Sequence, residues 1–422
     1  MKKRLLAIIA AALIMVTAAS CSTQNTESTT TESASAVQTT ANKTTETKTT
    51  AETAQSDDSS TKDDIKESSL SGTLTKDSVF TERDLTQTAD LTSAKKYTVK
   101  DNENINITSE GVYVLSGEAE NVTITVDAGD DAKVQLVLDG VSINNSDVPV
   151  IYIKSADKVF VTTTDGSSNS LSVTGEFSSD GDTNTDAVIF SKDDLVLNGN
   201  GTLTINSSQN GITSKDDLKV TGGTINITST ADAIEANDSI AVADGTIDID
   251  SQKDGLHAEN DEDNTVGYIY ICGGTLNINA ASDGIQGTTT VQIDDGQLNI
   301  TAAEGIEGTY VKLNGGTVNI SASDDGINGS NKSDSVNTQI EINGGEITVD
   351  MGQGDTDGID SNGDLYINGG KITVNAQSPF DYDGNCEKNG GTIIVNGEET
   401  DTITNQMMGG GMHGNDMFGG MQ

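Results

Sequence analysis

The chain has 422 residues, 66 acidic against 23 basic, and a formal net charge of −43 at pH 7. Such a balance repels nucleic acid and anionic lipid headgroups and draws cations, which excludes nucleic-acid binding as a function class. With 3% aromatic residues, no Trp and 45 Gly, the composition suits disorder or a repetitive β architecture rather than a core of large side chains.

The first predicted element is a targeting segment, residues 1–20. Lys2, Lys3 and Arg4 precede an apolar run, Leu5 to Val16, that is too short for a stable membrane span. Ala18-Ala19-Ser20-Cys21 reads as a lipoprotein signal, with Cys21 becoming the lipid-bearing N-terminus. The expected location is the extracellular face of the cell membrane, with the lipid as the sole membrane contact. Residues 21–79 are mostly Ser, Thr, Glu, Ala and Lys and cannot bury enough apolar surface to offset ordering entropy. They are expected to form a flexible stalk reaching on the order of 40 Å.

Residues 80–400 carry the domain. A turn followed by a strand recurs there, as in "TGGTINIT" from Thr221, "CGGTLNIN" from Cys272 and "NGGTVNIS" from Asn314. The second residue of each turn pair falls at Gly223, Gly245, Gly274, Gly296, Gly316, Gly345, Gly370 and Gly391, with gaps of 22, 29, 22, 20, 29, 25 and 21. Apolar residues alternate with polar ones and show no helical stripe. A repeat of about 22 residues with Gly-rich corners predicts an all-β fold, a right-handed parallel β-helix of stacked coils. The 29-residue coils carry "ENDEDNTVG" and "GSNKSDSVN", expected to protrude as loops. Cys272 and Cys386 fall about five coils apart, some 24 Å at about 4.8 Å per coil, so both are expected to be free thiols. Residues 401–422 form a Gly/Met-rich tail, read as disordered, or else as a holder of a soft metal such as copper.

A triplet precedes one strand of each coil. Its first positions are Asn210, Asp232, Asp254, Asp283, Glu304, Asp325 and Asp357, followed by Gly (Ala at Ala233) and then Ile or Leu. The fourth positions are Thr213, Glu235, His257, Gln286, Glu307, Asn328 and Asp360. Stacking turns these into two columns with neighbours about 4.8 Å apart. Carboxylates at that spacing repel by about 3–4 kcal/mol at an effective dielectric near 20. Lys and Arg are scarce, so calcium is the natural counter-charge, being a hard ion with six to eight oxygen ligands. The expected metal set is Asp232, Glu235, Asp254, Asp283, Glu304, Glu307, Asp324, Asp325, Asp357 and Asp360, with Asp355, Asp381 and Asp383 near the same edge. The competing reading is an Asx-turn at each Asp-Gly. Asn210 fits it; Glu304, Glu235, Glu307 and Asp360 fit it badly. His257 stands alone in its column and is read as solvated. "SKDDL", at Ser191–Leu195 and again at Ser214–Leu218, is a corner device or an acidic pair.

The segments "VQLVLDGVSINNSDVPVIYIKSADKVFVTT", "AVIFSKDDLVLNGNGTLTIN" and "NGITSKDDLKVTGGTINIT", with the Asp-Gly-Ile series after them, resemble the bacterial surface carbohydrate-binding β-helix family. That family is related in fold to pectate-lyase solenoids, and the resemblance spans Tyr97 to about Gly397. It implies a right-handed β-helix, bound calcium, and attachment to polysaccharides such as polygalacturonate or cellulose.

The function expected from these observations is calcium-dependent polysaccharide binding by a monomeric surface lipoprotein, with uronate carboxylates filling open positions on the held ions. Tyr268 and Tyr310 share one predicted column, Tyr270 and Tyr366 another, and are candidates for stacking on sugar rings; tyrosine also simply suits exposed strands. The alternatives are a polysaccharide lyase, for which Lys215 and Lys253 are the candidate bases, and an adhesin or spacer with a protein partner at the loops around Asp261 and Asp334. Arg is absent after Arg83, which opposes an Arg-based lyase.

Overall fold

The computed structural model describes residues 74–260, 262–353 and 356–405. Cys21, the signal segment, most of the stalk, the Met-rich tail, Asp261 and Asp355 lie outside them.

The described chain is all-β apart from one four-residue helix, Lys76–Val79. Over most of the chain a strand pairs in parallel with the strand three elements later, so that a regular coil contributes three strands to three stacked rows. One row runs through Thr202–Ser207, Thr224–Ser229 and Thr246–Ser251 with no register shift. The next row contains Asn210–Ser214, Ile234–Ala236 and Leu256–Ala258, and the third contains Asp217–Val220 and Ser239–Val242. The irregular N-terminal stretch joins the same rows, since Ile105–Ile107 pairs with Ile124–Asp127 and that strand with Ile151–Ser155.

Local chemistry dictates this register. All eight turn glycines from Gly223 to Gly391 have φ between 73° and 124°, a region L side chains rarely adopt. The glycine of the acidic triplet is needed for a different reason. A Cβ on Gly305 would lie 2.4 Å from the Gly326 carbonyl and 2.5 Å from Ile320 Cγ2. Close packing between coils, rather than a tight corner, therefore requires a small residue there. The third triplet residue points inward. Ile212, Ile234, Leu256, Ile285, Ile306, Ile327 and Ile359 are wholly buried and stack in one column that ends on Phe380.

The C-terminal end is closed by the one antiparallel strand pair among the described strands, Thr392–Val395 with Glu398–Thr400. Asn396 and Gly397 make the turn with φ of 51° and 84°, the pattern of a type I′ hairpin. Folding the chain back covers an edge that would otherwise recruit another strand.

Residues 74–87, part of which sequence assigns to the stalk, cross the outer face of the third row as a strap. Leu74, Val79 and Phe80 bury against Ala241, Ala243, Tyr268 and Tyr270. Asp84 is fully buried, with Lys158 Nζ at 3.5 Å and Lys219 Nζ at 3.6 Å. Burial alone would raise the Asp84 carboxyl, but the two ammonium groups and the Thr81 hydrogen bonds hold it below the usual range. Lys219 also donates to the Val79 carbonyl at 2.7 Å, and Gln87 bonds both Thr221 O and Gly199 N–H.

The two long inserts are not independent loops. Ser333 is buried and donates to the Asn264 carbonyl at 2.5 Å, joining one insert to the other. Cys272 and Cys386 are free, as their separation predicted. At the repeated "SKDDL", both readings hold. Ser191 and Ser214 hydroxyls bond backbone at the corner, while Asp194 stacks beside Asp217 and is pushed up to about 6 by burial and that neighbour.

Candidate functional site

The two columns predicted from the triplets exist. Asp283 pairs with Glu304 and Asp325 with Asp357. The fourth positions stack as Thr213, Glu235, His257, Gln286, Glu307, Asn328 and Asp360, and continue to Asp381.

The first-column side chains have a structural task that differs from an Asx-turn. Asn210, Asp232, Asp254 and Asp325 reach along the stack rather than to their own turns. Asn210 Oδ1 accepts from Asp232 N–H at 3.1 Å, Asp232 Oδ1 from Asp254 N–H at 3.0 Å, and Asp254 Oδ1 from Asp283 N–H at 3.0 Å. Asp325 Oδ1 accepts from Asp357 N–H at 3.3 Å. In Asp232, Asp254 and Asp325 one carboxylate oxygen is thus spent on the coil-to-coil ladder, leaving the other for the corner.

Those facing oxygens divide the corner in two. In the N-terminal stretch, protein cations meet them. Lys253 Nζ lies 2.9 Å from Asp232 and 3.7 Å from Asp254, and Lys215 Nζ lies 3.1 Å from Glu235. Neither candidate lyase base is therefore an unpaired amine. His257 is not solvated. It is buried, with Nδ1 3.4 Å from Asp232 and 3.5 Å from Asp254, and Nε2 3.0 Å from Glu259. An imidazole gains more from three carboxylates on a dry corner than from water, a preference invisible in a column alignment. Asp232 is pulled down to about 2: burial acts against this, but hydrogen bonds from His257 and Lys253 outweigh it.

The C-terminal stretch is different. Lys332 Nζ pairs with Glu307 at 2.9 Å, and carboxylates dominate the rest. Asp283 is pushed up to about 7 by burial and then by Asp254, Glu304 and Glu307. Asp325 rises to about 7 through burial, Asp360 and Glu304. Asp360 rises to about 7 through burial, Asp381, Asp357 and Asp383. Glu304 is also raised, first by burial. Asp324 is exposed at the same corner.

Buried oxygens here include Asn328 Oδ1 and Asp381 Oδ1, neither with a hydrogen-bond partner among the described residues. They flank Asp360 one coil to each side. A buried acceptor left unpaired costs about 1–3 kcal/mol unless a water or an ion meets it. An oxygen-only donor set that mixes carboxylates with an amide carbonyl suits calcium and offers a softer ion nothing. The residues at this stretch therefore fit the ion that the sequence called for.

The tyrosines share the predicted columns but not the predicted exposure. Tyr270 stacks in line with Gln292, Lys312, Glu341 and Tyr366. Tyr268 and Tyr270 are buried beneath the strap, with the Tyr270 ring 6.4 Å from Phe80 and its hydroxyl donating to Asp294 at 2.8 Å. They present no ring face for a sugar. Tyr310 bonds Glu341, and Tyr366 donates to Asp364 at 2.9 Å; these two remain half-buried. The strap that covers the first pair has too little periodicity to be placed from sequence.

Sequence reasoning also missed a polar groove. The strands that precede the acidic corner line an open groove of about 580 Å³ with Asn226, Asp248, Asn277, Asn299 and Asn319. These five align coil by coil. Asn277 donates to Asp248 at 2.7 Å, Asn299 to Asn277 at 2.8 Å and Asn319 to Asn299 at 3.0 Å. Each laddered amide keeps one N–H and one carbonyl lone pair for a ligand. The signal was present as the repeated Asn in "INI", "LNI" and "VNI".

Coils stacked in parallel, an acidic corner and a groove of ordered amides together define a repetitive surface-recognition architecture. A family model described as "Carbohydrate-binding domain-containing protein" matches residues 101–356 and 303–417, and the chain belongs to that family. A relative of the same description from Acetivibrio thermocellus is 43% identical over 121 residues. That match covers 28% of this chain and 42% of the relative, so the chain spans about two fifths of the curated relative it matches. Among solved structures, the polysaccharide lyase-like protein from C. thermocellum, in a gadolinium derivative, is 34% identical, with a TM-score of 0.48 over 53% of this chain and 96% of that one.

Proposed function

We propose that this chain is a calcium-dependent polysaccharide-binding module whose stacked coils form a right-handed parallel β-helix. The ions sit on the C-terminal stretch of the acidic corner, held by Asp283, Glu304, Glu307, Asp325, Asp357 and Asp360 with Asn328 and Asp381. The observation that carries the reading is the set of three aspartates there raised to about 7, beside the buried Asn328 and Asp381 oxygens that have no hydrogen-bond partner among the described residues. Bound calcium supplies positive charge and open coordination positions. The protein's own contribution is to fix the oxygens in rows about 4.8 Å apart.

A polymer with carboxylates, such as polygalacturonate, then bridges to the ions it would otherwise be repelled from by a protein of charge −43. Hydroxyls of the same chain reach the amides of the neighbouring groove. Membership of a carbohydrate-binding family supports the ligand class. A lipid on Cys21 and a location on the outer cell surface complete the proposal.

Retention on polygalacturonate tests it. The full chain is expected to be held with calcium and released by chelator, and Asp325→Asn/Asp360→Asn to be released with calcium present. Retention by polygalacturonate unchanged in chelator would remove calcium bridging. Release of unsaturated uronate during the assay would show a lyase instead.

A further inference from the structure

We propose that Asp232, Asp254 and His257 form a second kind of metal site, one for a borderline divalent ion of the zinc type, on the N-terminal stretch of the same corner. It stands apart from the calcium reading above, because its donors, its position and its expected ion all differ.

Glu259 orients the imidazole. Its Oε2 lies 3.0 Å from His257 Nε2. An ionised carboxylate only accepts, so Nε2 carries a proton, and a metal that displaces the proton from Nδ1 meets a lone pair already aimed at the two aspartates. Nδ1 lies 3.4 Å from Asp232 Oδ2 and 3.5 Å from Asp254 Oδ2. The three candidate donor atoms all fall within 4.8 Å of one another, and all three residues are buried. With Nδ1 deprotonated, three acceptors face each other and need a cation between them.

The donors are also fixed in place. Asp232 Oδ1 and Asp254 Oδ1 each accept a backbone N–H from the next coil at 3.0 Å, so neither carboxylate can rotate away without breaking the ladder. Tetrahedral zinc with bonds of about 2.0–2.1 Å separates its ligand atoms by about 3.3–3.4 Å. The two Nδ1–oxygen separations, 3.4 and 3.5 Å, match that value. An imidazole with two carboxylates favours zinc-type ions over calcium. The Glu259–His257 contact is the outer hydrogen bond that orients a metal-binding histidine.

A proton on Nδ1 or the ammonium of Lys253 answers the same need for charge, and the metal competes with both. Lys253 reaches in from solvent, with its side chain 52% exposed. It can leave without disturbing a packed group, and it acts as a displaceable plug.

Cobalt(II) is the probe, read by its visible ligand-field absorption on the full chain in excess calcium. One saturable equivalent is expected, displaced by zinc and not by calcium. His257→Ala abolishes it, Glu259→Gln weakens it tenfold or more, and His413→Ala in the tail leaves it unchanged. Lys253→Ala strengthens it at least several-fold, a gain that a misfolded variant cannot imitate. Cobalt absorption that survives His257→Ala, equal displacement by calcium, or weaker binding in Lys253→Ala would overturn the site. Asp325→Asn/Asp360→Asn leaves the cobalt signal intact, so failure here and failure of the calcium reading are told apart.

Discussion

Asp84→Ala releases residues 74–87 from the coils, at a cost of about 3–5 kcal/mol in the stability of that contact. Asp84 is fully buried and serves two lysines. Lys158 keeps Asp194 at 3.3 Å when Asp84 is lost. Lys219 does not fare as well. Its side chain is 5% exposed, and it is left with a backbone carbonyl as its named acceptor, Val79 O. Moving the strap aside lets water reach that ammonium, which is cheaper than keeping it buried and uncompensated. Stability in a stacked fold is local, so the coils beneath stay folded. Hydrogen exchange along residues 74–87 and modification of Tyr268 and Tyr270 report the release. Both should rise sharply in Asp84→Ala and less in Asp84→Asn, which keeps the side-chain shape. Unchanged protection would mean that Leu74, Val79 and Phe80 hold the strap alone.

The second large effect concerns pH. Without divalent metal, the protein is expected to lose stability as pH rises from about 4 to about 7. Asp283, Asp325 and Asp360 each rise to about 7 in the folded state. Between the ordinary Asp value and that one, the native state binds more protons than the unfolded state, so stability falls with rising pH. After allowance for solvent screening of these part-exposed groups, the loss is about 1 kcal/mol each and about 3 in all. His257 is also raised, against burial, by its hydrogen bond to Asp232 and by the charges of Asp232 and Asp254, and it acts in the same direction. Asp84 and Asp232 are lowered and act oppositely, so stability declines again in strong acid. Melting curves of chelated protein across this range should peak near pH 4–5. A plateau through pH 7 would show that the corner carboxylates are solvated well enough to tolerate their charge.

Much of this arrangement is legible in the residues. Turn glycines and the Ile column fix the coil register, because a positive φ and a buried apolar position each admit few residue types. The acidic columns followed from that register, rung by rung. What sequence could not give was what each carboxylate faces. His257 depends on Glu259 and on two aspartates from different coils, and Lys253 reaches Asp232 from one coil away. Those are contacts between side chains, and a column alignment carries no information about side-chain direction. Likewise, Tyr268 and Tyr270 occupy outward positions, yet a non-repeating strap covers them. The polar groove went unnoticed because the repeated Asn was read only as the polar half of the strand alternation, whereas it ladders from coil to coil.

The proposed bridging to polysaccharide requires divalent metal to be held by the C-terminal stretch of the corner. Calorimetric titration of calcium into chelated full chain at pH 7.5, together with the melting temperature at each point, tests this most directly. Saturable binding with a rise of several degrees is expected, and both are lost in Asp325→Asn/Asp360→Asn. A chain that takes up no calcium and melts at the same temperature with and without it would contradict the account.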